Sequence, residues 1–332
     1  MIKMHDRPSE DDLIARYFAP IAGPGGLSLK DDAALVAVPD GAELVVTVDA
    51  LVAGVHFFVD DPPETIAVKA LGVNLSDLAA KGADPLGFVL ALALPRDWMP
   101  DWLKAFANGL GQAAETHGCP LLGGDTTRTP GPMMLSITAL GTVPKGKMVR
   151  RTHAQPGDVI AVSGTIGDAA LGLKIRKTPA LDWVAALGER DFGFLLERYL
   201  KPRPRVVLAP VLREYARAGM DVSDGLVGDL AKMLRASGVT GILRVDDVPL
   251  SAAAHAAIGY EPALMADAVT GGDDYEVLIT LQPEKVADLK ATAKKAGVPF
   301  SVIGEVKAGT EPLTVTYKGE SFETASGSYS HF

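Results

Sequence analysis

Short apolar runs alternate with helical patterns along both halves of the chain. In the first half the strand-like runs are 34–38, 44–48, 88–94 and 133–143, and the helical patterns are 64–80 and 101–117. An alternation of this kind favours an α/β or α+β fold, in which helices bury their apolar faces against a sheet. We therefore expect a mixed sheet in the N-terminal half of the chain.

The same alternation restarts after a break at 144–151 that is rich in proline, glycine and basic residues. The strand-like runs of the second half are 158–162, 242–245 and 275–281, and its helical patterns are 190–200, 204–218, 224–236 and 283–296. A chain of 332 residues is long enough for two domains. We predict domains at 1–150 and 151–332, the second an α/β domain whose sheet is covered by helices.

Composition excludes several classes of protein. The formal net charge of −9 is opposite to the basic surface of a non-specific nucleic-acid binder. No uncharged apolar run is long enough to span a bilayer, and residues 1–6 lack the apolar stretch of a signal peptide. We therefore expect a cytoplasmic protein without nucleic-acid or membrane partners. The single cysteine, Cys119, adjoins apolar residues and is expected in the core.

Aspartates stand at or near the ends of six apolar elements. The segments are 31–34, 47–49, 74–77, 123–128, 221–225 and 271–276. Aspartate is common in turns, so any one segment is weak evidence. Carboxylates beyond strand ends, with glycines that let a ligand approach the backbone, are however typical of magnesium–phosphate chemistry. Magnesium takes hard oxygen ligands and keeps waters and substrate phosphates in its shell.

Asp77 is the least ordinary of these aspartates. It follows Ile66, Ala70 and Val73 at helical spacing, so all four side chains fall on one face of the helix. A carboxylate on an apolar face needs a partner, because an unpaired buried charge is very unfavourable. A metal ion, an internal arginine or Lys81, four residues on, would each serve as that partner.

Two segments of the second half have structural as well as functional interpretations. Ser223 suits a helix N-cap and Asp224 the first helical turn, although Asp221 makes the cluster denser than capping requires. Segment 164–168, Gly-Thr-Ile-Gly-Asp, fits either a phosphate loop at a helix N-terminus or a tight strand-to-helix turn.

Two further side chains have two interpretations each. Arg151 is either a contact for a nucleotide phosphate or a solvated linker charge. His56, which precedes Phe57, is either a substrate contact or a packed polar residue. The chain contains no P-loop motif and no kinase H-R-D motif, so a phosphoryl transfer would use another architecture.

In this order and spacing, the acidic segments resemble those of the thiamine-monophosphate kinases over nearly the whole chain. The matching segments are 31–34, 48–57, 69–85, 123–127, 221–226 and 272–276. The resemblance implies a two-domain fold shared with aminoimidazole ribonucleotide synthetase and selenophosphate synthetase. In that fold the N-terminal domains bind metal and ATP and pair in a homodimer, and the C-terminal domain completes the active-site cleft.

The resemblance also implies an activity and a set of site residues. ATP phosphorylates thiamine monophosphate to thiamine diphosphate by in-line transfer with several magnesium ions, which is the last step of thiamine diphosphate biosynthesis. The implied metal ligands are Asp32, Thr47, Val48, Asp49, Asp77, Asp125, Asp221 and Asp224. The implied ATP contacts are Gly124, Asp125, Arg151 and Ser223, and the implied substrate contacts are His56, Asp273 and Ser326. No catalytic base is assigned, because the attacking phosphate is already an anion.

The chain departs from the family pattern at three positions. Lys30 replaces a glycine before the Asp31-Asp32 pair, Val48 replaces a threonine, and Ser326 replaces a stacking aromatic residue near the C-terminus, a role that Tyr329 would then take. A selenophosphate synthetase would need a reactive cysteine near its N-terminus, which this chain lacks. A non-catalytic sensor that binds nucleotide and divalent ions is the rival from another class.

Overall fold

The computed structural model describes residues 9–323, which form a mixed α/β structure with two sheets. The chain divides into two compact units. The N-terminal unit is Met1–Leu78 with Ala83–Gly146, and the C-terminal unit is Ala79–Gly82 with Lys147–Phe332. The two sheets and their helices confirm the predicted fold class. The division of roles between domains 1–150 and 151–332 stays a prediction.

The N-terminal unit contains a four-stranded sheet. Its strands are β1 (Ala42–Val52), β2 (Asp84–Leu94), β3 (Leu121–Arg128) and β4 (Met134–Pro144), and its helices are α1 (Glu10–Leu13), α2 (Pro63–Ala80) and α3 (Pro100–His117). The strand order is β1-β4-β2-β3, with β4 antiparallel to both of its neighbours. Strands β2 and β3 run parallel, and α3 provides the crossover that parallel neighbours require.

Strand β1 shows how the sheet is oriented. Val45 and Leu51 are buried, whereas Val46 and Val48, on the other face, are 55% and 60% exposed. Because side chains alternate along a strand, the odd-numbered residues of β1 point to one face, which α2 covers. Helix α2 is almost wholly buried, in keeping with its run of apolar residues.

The C-terminal unit is built on a seven-stranded sheet. Its strands are β5 (Val159–Ser163), β6 (Ala218–Asp221), β7 (Thr240–Arg244), β8 (Val277–Leu281), β9 (Phe300–Lys307), β10 (Thr314–Tyr317) and β11 (Glu320–Ser321). The order is β11-β10-β7-β9-β5-β8-β6, antiparallel except for the pair β10–β7.

Helices cover both faces of this sheet. They are α4 (Asp168–Lys177), α5 (Asp182–Ala186), α6 (Glu189–Leu200), α7 (Ala209–Tyr215), α8 (Leu226–Ser237), α9 (Ala252–Tyr260), α10 (Leu264–Thr270) and α11 (Val286–Lys295). On one face Ile160 packs with Met233 of α8, and on the other Ala161 packs with Leu289 of α11. Strand β8 is therefore buried along its whole length.

Two of the predicted elements differ from the structure. Residues 34–38 form no strand. The neighbouring edge strand, β1, pairs only with β4 among the described residues, and Leu35 is exposed. The helix predicted at 204–218 is only Ala209–Tyr215, since Ala216 is extended and leads into β6. Among residues 9–323, no helix has both the length and the hydropathy needed to cross a membrane.

Candidate functional site

Strand β1 and helix α2 bring one group of predicted metal ligands together. The Thr47 hydroxyl donates to Asp77 Oδ2 at 2.5 Å, and the backbone amide of Asp49 donates to the Asn74 side chain at 3.1 Å. Asn74 is fully buried and is fixed in turn by a bond to the Ala70 carbonyl. Thr47, Asp49 and Asp77 therefore form one oxygen-rich group, here called the β1–α2 group.

The partner of the Asp77 carboxylate is therefore the Thr47 hydroxyl. Lys81, one candidate, donates instead to the Gly219 carbonyl at 2.8 Å. Within residues 9–323, no lysine or arginine forms a salt bridge with Asp77 or with Asp125. A neutral hydroxyl leaves the negative charge of Asp77 uncompensated, so this carboxylate can accept a cation.

A cavity of about 410 Å³ holds the second group of predicted ligands. Asp31, Asp32, Gly123, Gly124 and Asp125 line it, with apolar side chains around them. A Cβ atom on Gly124 would lie 1.9 Å from the Leu90 carbonyl oxygen, so only glycine fits there. Asp32 and Asp125 are both exposed, and both carboxylates are available to a ligand in the cavity.

The strand register separates these two groups. Asp49 pairs with Ile137, and Leu90 also pairs with Ile137, so these residues share the face that α2 covers. Asp125 pairs with Ala91, whose β4 partner is Ser136, on the opposite face. Side chains on opposite faces cannot ligate one ion, so the register places Asp49 and Asp125 in different oxygen sites.

The donor chemistry of both groups suits magnesium, which prefers carboxylate and other hard oxygen ligands. Among the described residues, however, no three His, Cys, Asp or Glu side chains converge closely enough to hold a metal ion by themselves. Magnesium usually binds through one or two carboxylates together with waters and substrate phosphates. The residues present therefore fit ions that are held jointly with phosphate.

The other predicted contacts of the N-terminal unit have defined positions. His56 lies in the turn after β1, where its Nδ1 accepts from the Val52 amide at 3.0 Å. A neutral imidazole that accepts at Nδ1 carries its proton on Nε2, so His56 is oriented as a donor. The exposed Val48 side chain is apolar, and it points away from Asp49.

In the C-terminal unit, two loops that carry predicted site residues are joined backbone to backbone. The amide of Asp273 donates to the Ser223 carbonyl at 2.9 Å, and the amide of Tyr275 donates to the Val222 carbonyl at 2.8 Å. Gly272 lies so close that a Cβ atom would be 2.3 Å from the Ser223 oxygen. The loop of Ser223, which follows Asp221 at the end of β6, is therefore held directly against the loop of Asp273.

The capping interpretation of Ser223 and Asp224 is wrong. Helix α8 begins at Leu226, its N-cap residue is Gly225, and no side chain caps it. Instead, the buried Asp229 accepts from the amides of Ser223 and Asp224 at 3.0 and 2.9 Å. The Lys232 ammonium lies 2.5 Å from Asp224 and 3.1 Å from Asp229.

A deeply buried charge network supports the Asp273 loop from behind. Arg198 is 2% exposed and contacts the carboxylate of Glu276 and the carbonyl of Asp274 at 3.2 and 3.1 Å. Arg205 also binds the Glu276 carboxylate, with a 2.7 Å bond from its Nε, and Ser163 donates to it at 2.6 Å. These contacts hold the chain that leads from Asp273 into β8.

The same network settles the role of segment 164–168. The Asp274 carboxylate accepts from the amides of Gly167 and Ala169, at 2.7 and 3.2 Å, and so occupies the N-terminus of α4. Burial raises the pKa of Asp274 well above its usual range, against the effect of these two bonds. The segment is the tight strand-to-helix turn, because an aspartate already stands where a phosphate would bind.

Arg151 is exposed, and its carbonyl accepts from Ser237 at 2.9 Å, which leaves both of its interpretations open. Ser326 and Tyr329 lie outside the described residues. Sequence reasoning missed Asp229, Lys232, Arg198 and Arg205. The pair Asp229 and Lys232 is detectable in the sequence as opposite charges three residues apart on a helix. The two arginines gave no such local signal.

Comparison with known proteins identifies the family of the chain. The family models for AIR synthase related protein match residues 30–143 with the N-terminal domain and residues 155–315 with the C-terminal domain. The thiamine-monophosphate kinase of Caulobacter vibrioides is 40% identical over 94% of this chain and 88% of its own length.

Two solved structures have the same fold. The crystal structure of thiamine-monophosphate kinase from Stenotrophomonas maltophilia K279a has a TM-score of 0.80 and 41% identity, and covers 89% of this chain and 91% of its own. The structure of AaThiL complexed with AMPPCP and TMP has a TM-score of 0.78 and 29% identity, and covers 91% of each chain. The chain belongs to the thiamine-monophosphate kinase family, within the AIR synthase related proteins.

Proposed function

We infer that this protein is a kinase that transfers the γ-phosphoryl group of ATP to thiamine monophosphate and so produces thiamine diphosphate. The observation that carries this inference is the match to thiamine-monophosphate kinases, which extends over both units of the chain. A relative of the same fold was solved with an ATP analogue and TMP. The acidic segments of this chain, with glycines beside them, have the chemistry that such substrates require.

In the proposed reaction, a phosphate oxygen of thiamine monophosphate attacks the γ-phosphorus of ATP in line. A new P–O bond forms as the bond between the γ-phosphorus and the β–γ bridging oxygen breaks, and ADP leaves with that oxygen. Positioning and charge neutralisation account for most of the rate of such transfers. The attacking oxygen is already anionic, so the chain needs no general base.

We propose magnesium as the cofactor, with several ions. Asp49 and Asp77 of the β1–α2 group would hold one position, and Asp32 and Asp125 at the cavity would hold another. In the C-terminal unit, Asp221 and Asp224 are the proposed ligands. Magnesium, when bound, would neutralise charge on the phosphates. The separation of Asp49 and Asp125 on opposite faces supports more than one ion.

We propose that Gly124, Asp125, Arg151 and Ser223 contact ATP. Gly124 lines the cavity, and a Cβ atom there would meet the Leu90 carbonyl oxygen at 1.9 Å, so the position requires glycine. His56 and Asp273 are the proposed contacts for thiamine monophosphate. The Nε2 donor of His56 suits a phosphate oxygen. Asp273 has a left-handed φ of 72° and accepts from the Tyr275 hydroxyl at 3.2 Å, which fixes its carboxylate.

A chromatographic assay of purified protein with ATP, magnesium and thiamine monophosphate tests the proposed reaction, with thiamine as a parallel substrate. We expect thiamine diphosphate from the monophosphate alone, because the proposed nucleophile is a phosphate oxygen. Magnesium-dependent ATP binding without any product would overturn the kinase assignment and favour the non-catalytic sensor.

We also propose that two copies pair through the exposed face of the N-terminal sheet. Leu44, Val46 and Val48 of β1 and Met134 of β4 lie on that face and are all exposed. A row of exposed aliphatic side chains on one sheet face is typical of an interaction surface. Light scattering of Val46→Glu should show a monomer, whereas Val207→Glu, at an exposed site of the C-terminal unit, should remain a dimer. A monomeric parent protein would overturn this proposal.

A further inference from the structure

The Lys232 ammonium lies between the carboxylates of Asp224 and Asp229. Its Nζ atom lies 2.5 Å from Asp224 Oδ2 and 3.1 Å from Asp229 Oδ1. An ammonium at these distances from two carboxylates supplies one positive charge and three donors. No function described above makes use of this lysine.

Asp229 explains why the ammonium is held there. Its carboxylate is 1% exposed, and its second oxygen accepts from the amides of Ser223 and Asp224. A buried carboxylate needs a counter-charge, and Lys232, one helical turn further along α8, provides it. Asp229 therefore fixes the turn that carries Asp224. Lys232 links the buried carboxylate of Asp229 to the more exposed carboxylate of Asp224.

We propose that Lys232 is a positioning residue that acts as a built-in counter-cation of Asp224 and competes with a divalent ion for that carboxylate. The inference rests on the proposed role of Asp224 as a cation ligand. An ion binds at Asp224 only after the ammonium has moved away, so Lys232 weakens divalent-ion binding in this unit. The lysine thereby limits how many ions the C-terminal unit holds at a given concentration.

The charge balance of the turn supports this assignment. Asp224 and Asp229 carry two negative charges, and Lys232 is the cation that contacts both of them within the described residues. A divalent ion added beside the ammonium would meet a like charge at close range, which is unfavourable in a partly buried site. Asp224 has 39% of its side chain exposed, so an ion from solvent can reach it once the lysine has left.

The test is a titration of the full chain with Mn²⁺, in which paramagnetic resonance measures the free ion and gives the number and affinity of bound ions. In Lys232→Met we expect one additional ion, or one ion bound about tenfold more tightly. Lys232→Arg, which keeps the charge, should bind as the parent does. Lys294→Met, at an exposed position of α11, is the control for loss of a lysine elsewhere.

Two double variants show where the gained ion binds and allow the test even if Lys232→Met does not fold. Asp224→Asn combined with Lys232→Met should lose the gained ion, because the carboxylate that binds it is gone. Asp229→Asn combined with Lys232→Met leaves no buried unpaired charge, so it should fold and keep the gain if Lys232→Met alone does not fold.

The outcomes separate this inference from the proposed function. Equal Mn²⁺ binding by the parent, Lys232→Met and the Asp229→Asn double variant would overturn the competition, even if the parent makes thiamine diphosphate. A gain that persists after Asp224→Asn would overturn it as well, because the ion would then bind elsewhere. Failure of the parent to make product would instead overturn the kinase assignment and leave the Mn²⁺ result unchanged.

Discussion

Asp77 and Asp125 of the N-terminal unit and Glu276 of the C-terminal unit differ in whether a cationic side chain neutralises them. In the N-terminal unit, Asp77 is bound by a neutral hydroxyl and Asp125 faces a cavity, and neither has a salt bridge among the described residues. In the C-terminal unit, Glu276 is completely buried between Arg198 and Arg205. The N-terminal unit leaves Asp77 and Asp125 without a salt bridge, whereas the C-terminal unit neutralises Glu276 with two of its own arginines.

This difference separates functional from structural carboxylates better than burial alone does. A buried carboxylate that is bound by two arginines has no capacity left for a metal ion, whatever its position in a motif. An accessible carboxylate without a cation attracts one from solvent. Asp224 lies between these cases, because Lys232 neutralises it but leaves it accessible.

Loss of Arg198 should give the largest effect on stability. Arg198→Leu removes the ion pairs of Arg198 with two fully buried carboxylates, Glu276 and Asp168, and leaves Glu276 with Arg205 as its remaining cation among the described residues. We therefore expect a loss of about 3–5 kcal/mol in the free energy of unfolding. Urea denaturation measures it. Arg203→Leu, which breaks an exposed pair with Glu197, should lose about 0–1 kcal/mol. Equal losses of unfolding free energy in the two variants would contradict the claim that the buried ion pairs stabilise the fold more than the exposed pair does.

Loss of a carboxylate in the N-terminal unit should act on turnover and leave stability unchanged. In Asp125→Asn and Asp77→Asn we expect kcat to fall by about 10²–10³-fold, as for loss of one preorganised electrostatic contact. The unfolding free energy should stay near the parent value, because neither carboxylate forms a salt bridge within residues 9–323. Unfolding of either variant at ordinary temperature would assign it a structural role.

A methyl group at Gly272 should separate the two loops of the C-terminal unit. The new Cβ in Gly272→Ala would meet the Ser223 oxygen at 2.3 Å, so we expect a stability loss of about 1–3 kcal/mol and weaker binding of both substrates. Gly259→Ala, in an open part of α9, should instead gain about 0.5–1 kcal/mol. Unchanged KM values in Gly272→Ala would show that the loops act independently.

The smallest expected effect is a pH dependence from Asp274, whose pKa burial raises in the folded state. A raised folded-state pKa stabilises the fold below the unfolded-state pKa, and this contribution is lost as the pH rises through the folded-state value. The stability of the parent relative to Asp274→Asn should therefore fall as the pH rises above the unfolded-state pKa of an aspartate, which is about 3.9. Urea denaturation over a series of pH values measures the difference, and a rise with pH would contradict the direction of the shift.

Local patterns were sufficient to predict the buried face of α2, but not that the Thr47 hydroxyl is the partner of Asp77. The spacing of Ile66, Ala70 and Val73 placed Asp77 at the end of a buried stripe, where the structure has it. The same kind of reasoning could not reach Arg198. Arginine is rarely buried, and its partner Glu276 is 78 positions away in the sequence, so the tertiary structure alone brings the two charges together.

The strand predicted at 34–38 shows the converse limit. Its apolar run has the composition of a strand, but a strand also needs a neighbouring strand to pair with. Among the described residues no strand pairs with 34–38, and the Leu35 amide donates instead to the Gly25 carbonyl at 2.8 Å. The role of segment 164–168 could not be decided from the sequence either, because it too depends on a tertiary contact. The choice between phosphate loop and turn depended on Asp274, which is distant in sequence and occupies the helix N-terminus.

The difference between the two units is tested most directly by the thermal stability of the parent and of Asp125→Asn, each with and without magnesium and AMPPCP. A ligand that binds the folded state raises the unfolding temperature. We predict a rise of several degrees for the parent, and for Asp125→Asn an unchanged temperature without ligand and little rise with it. An Asp125→Asn variant that keeps the full rise would contradict the account, because the uncompensated carboxylate would not bind the ligand.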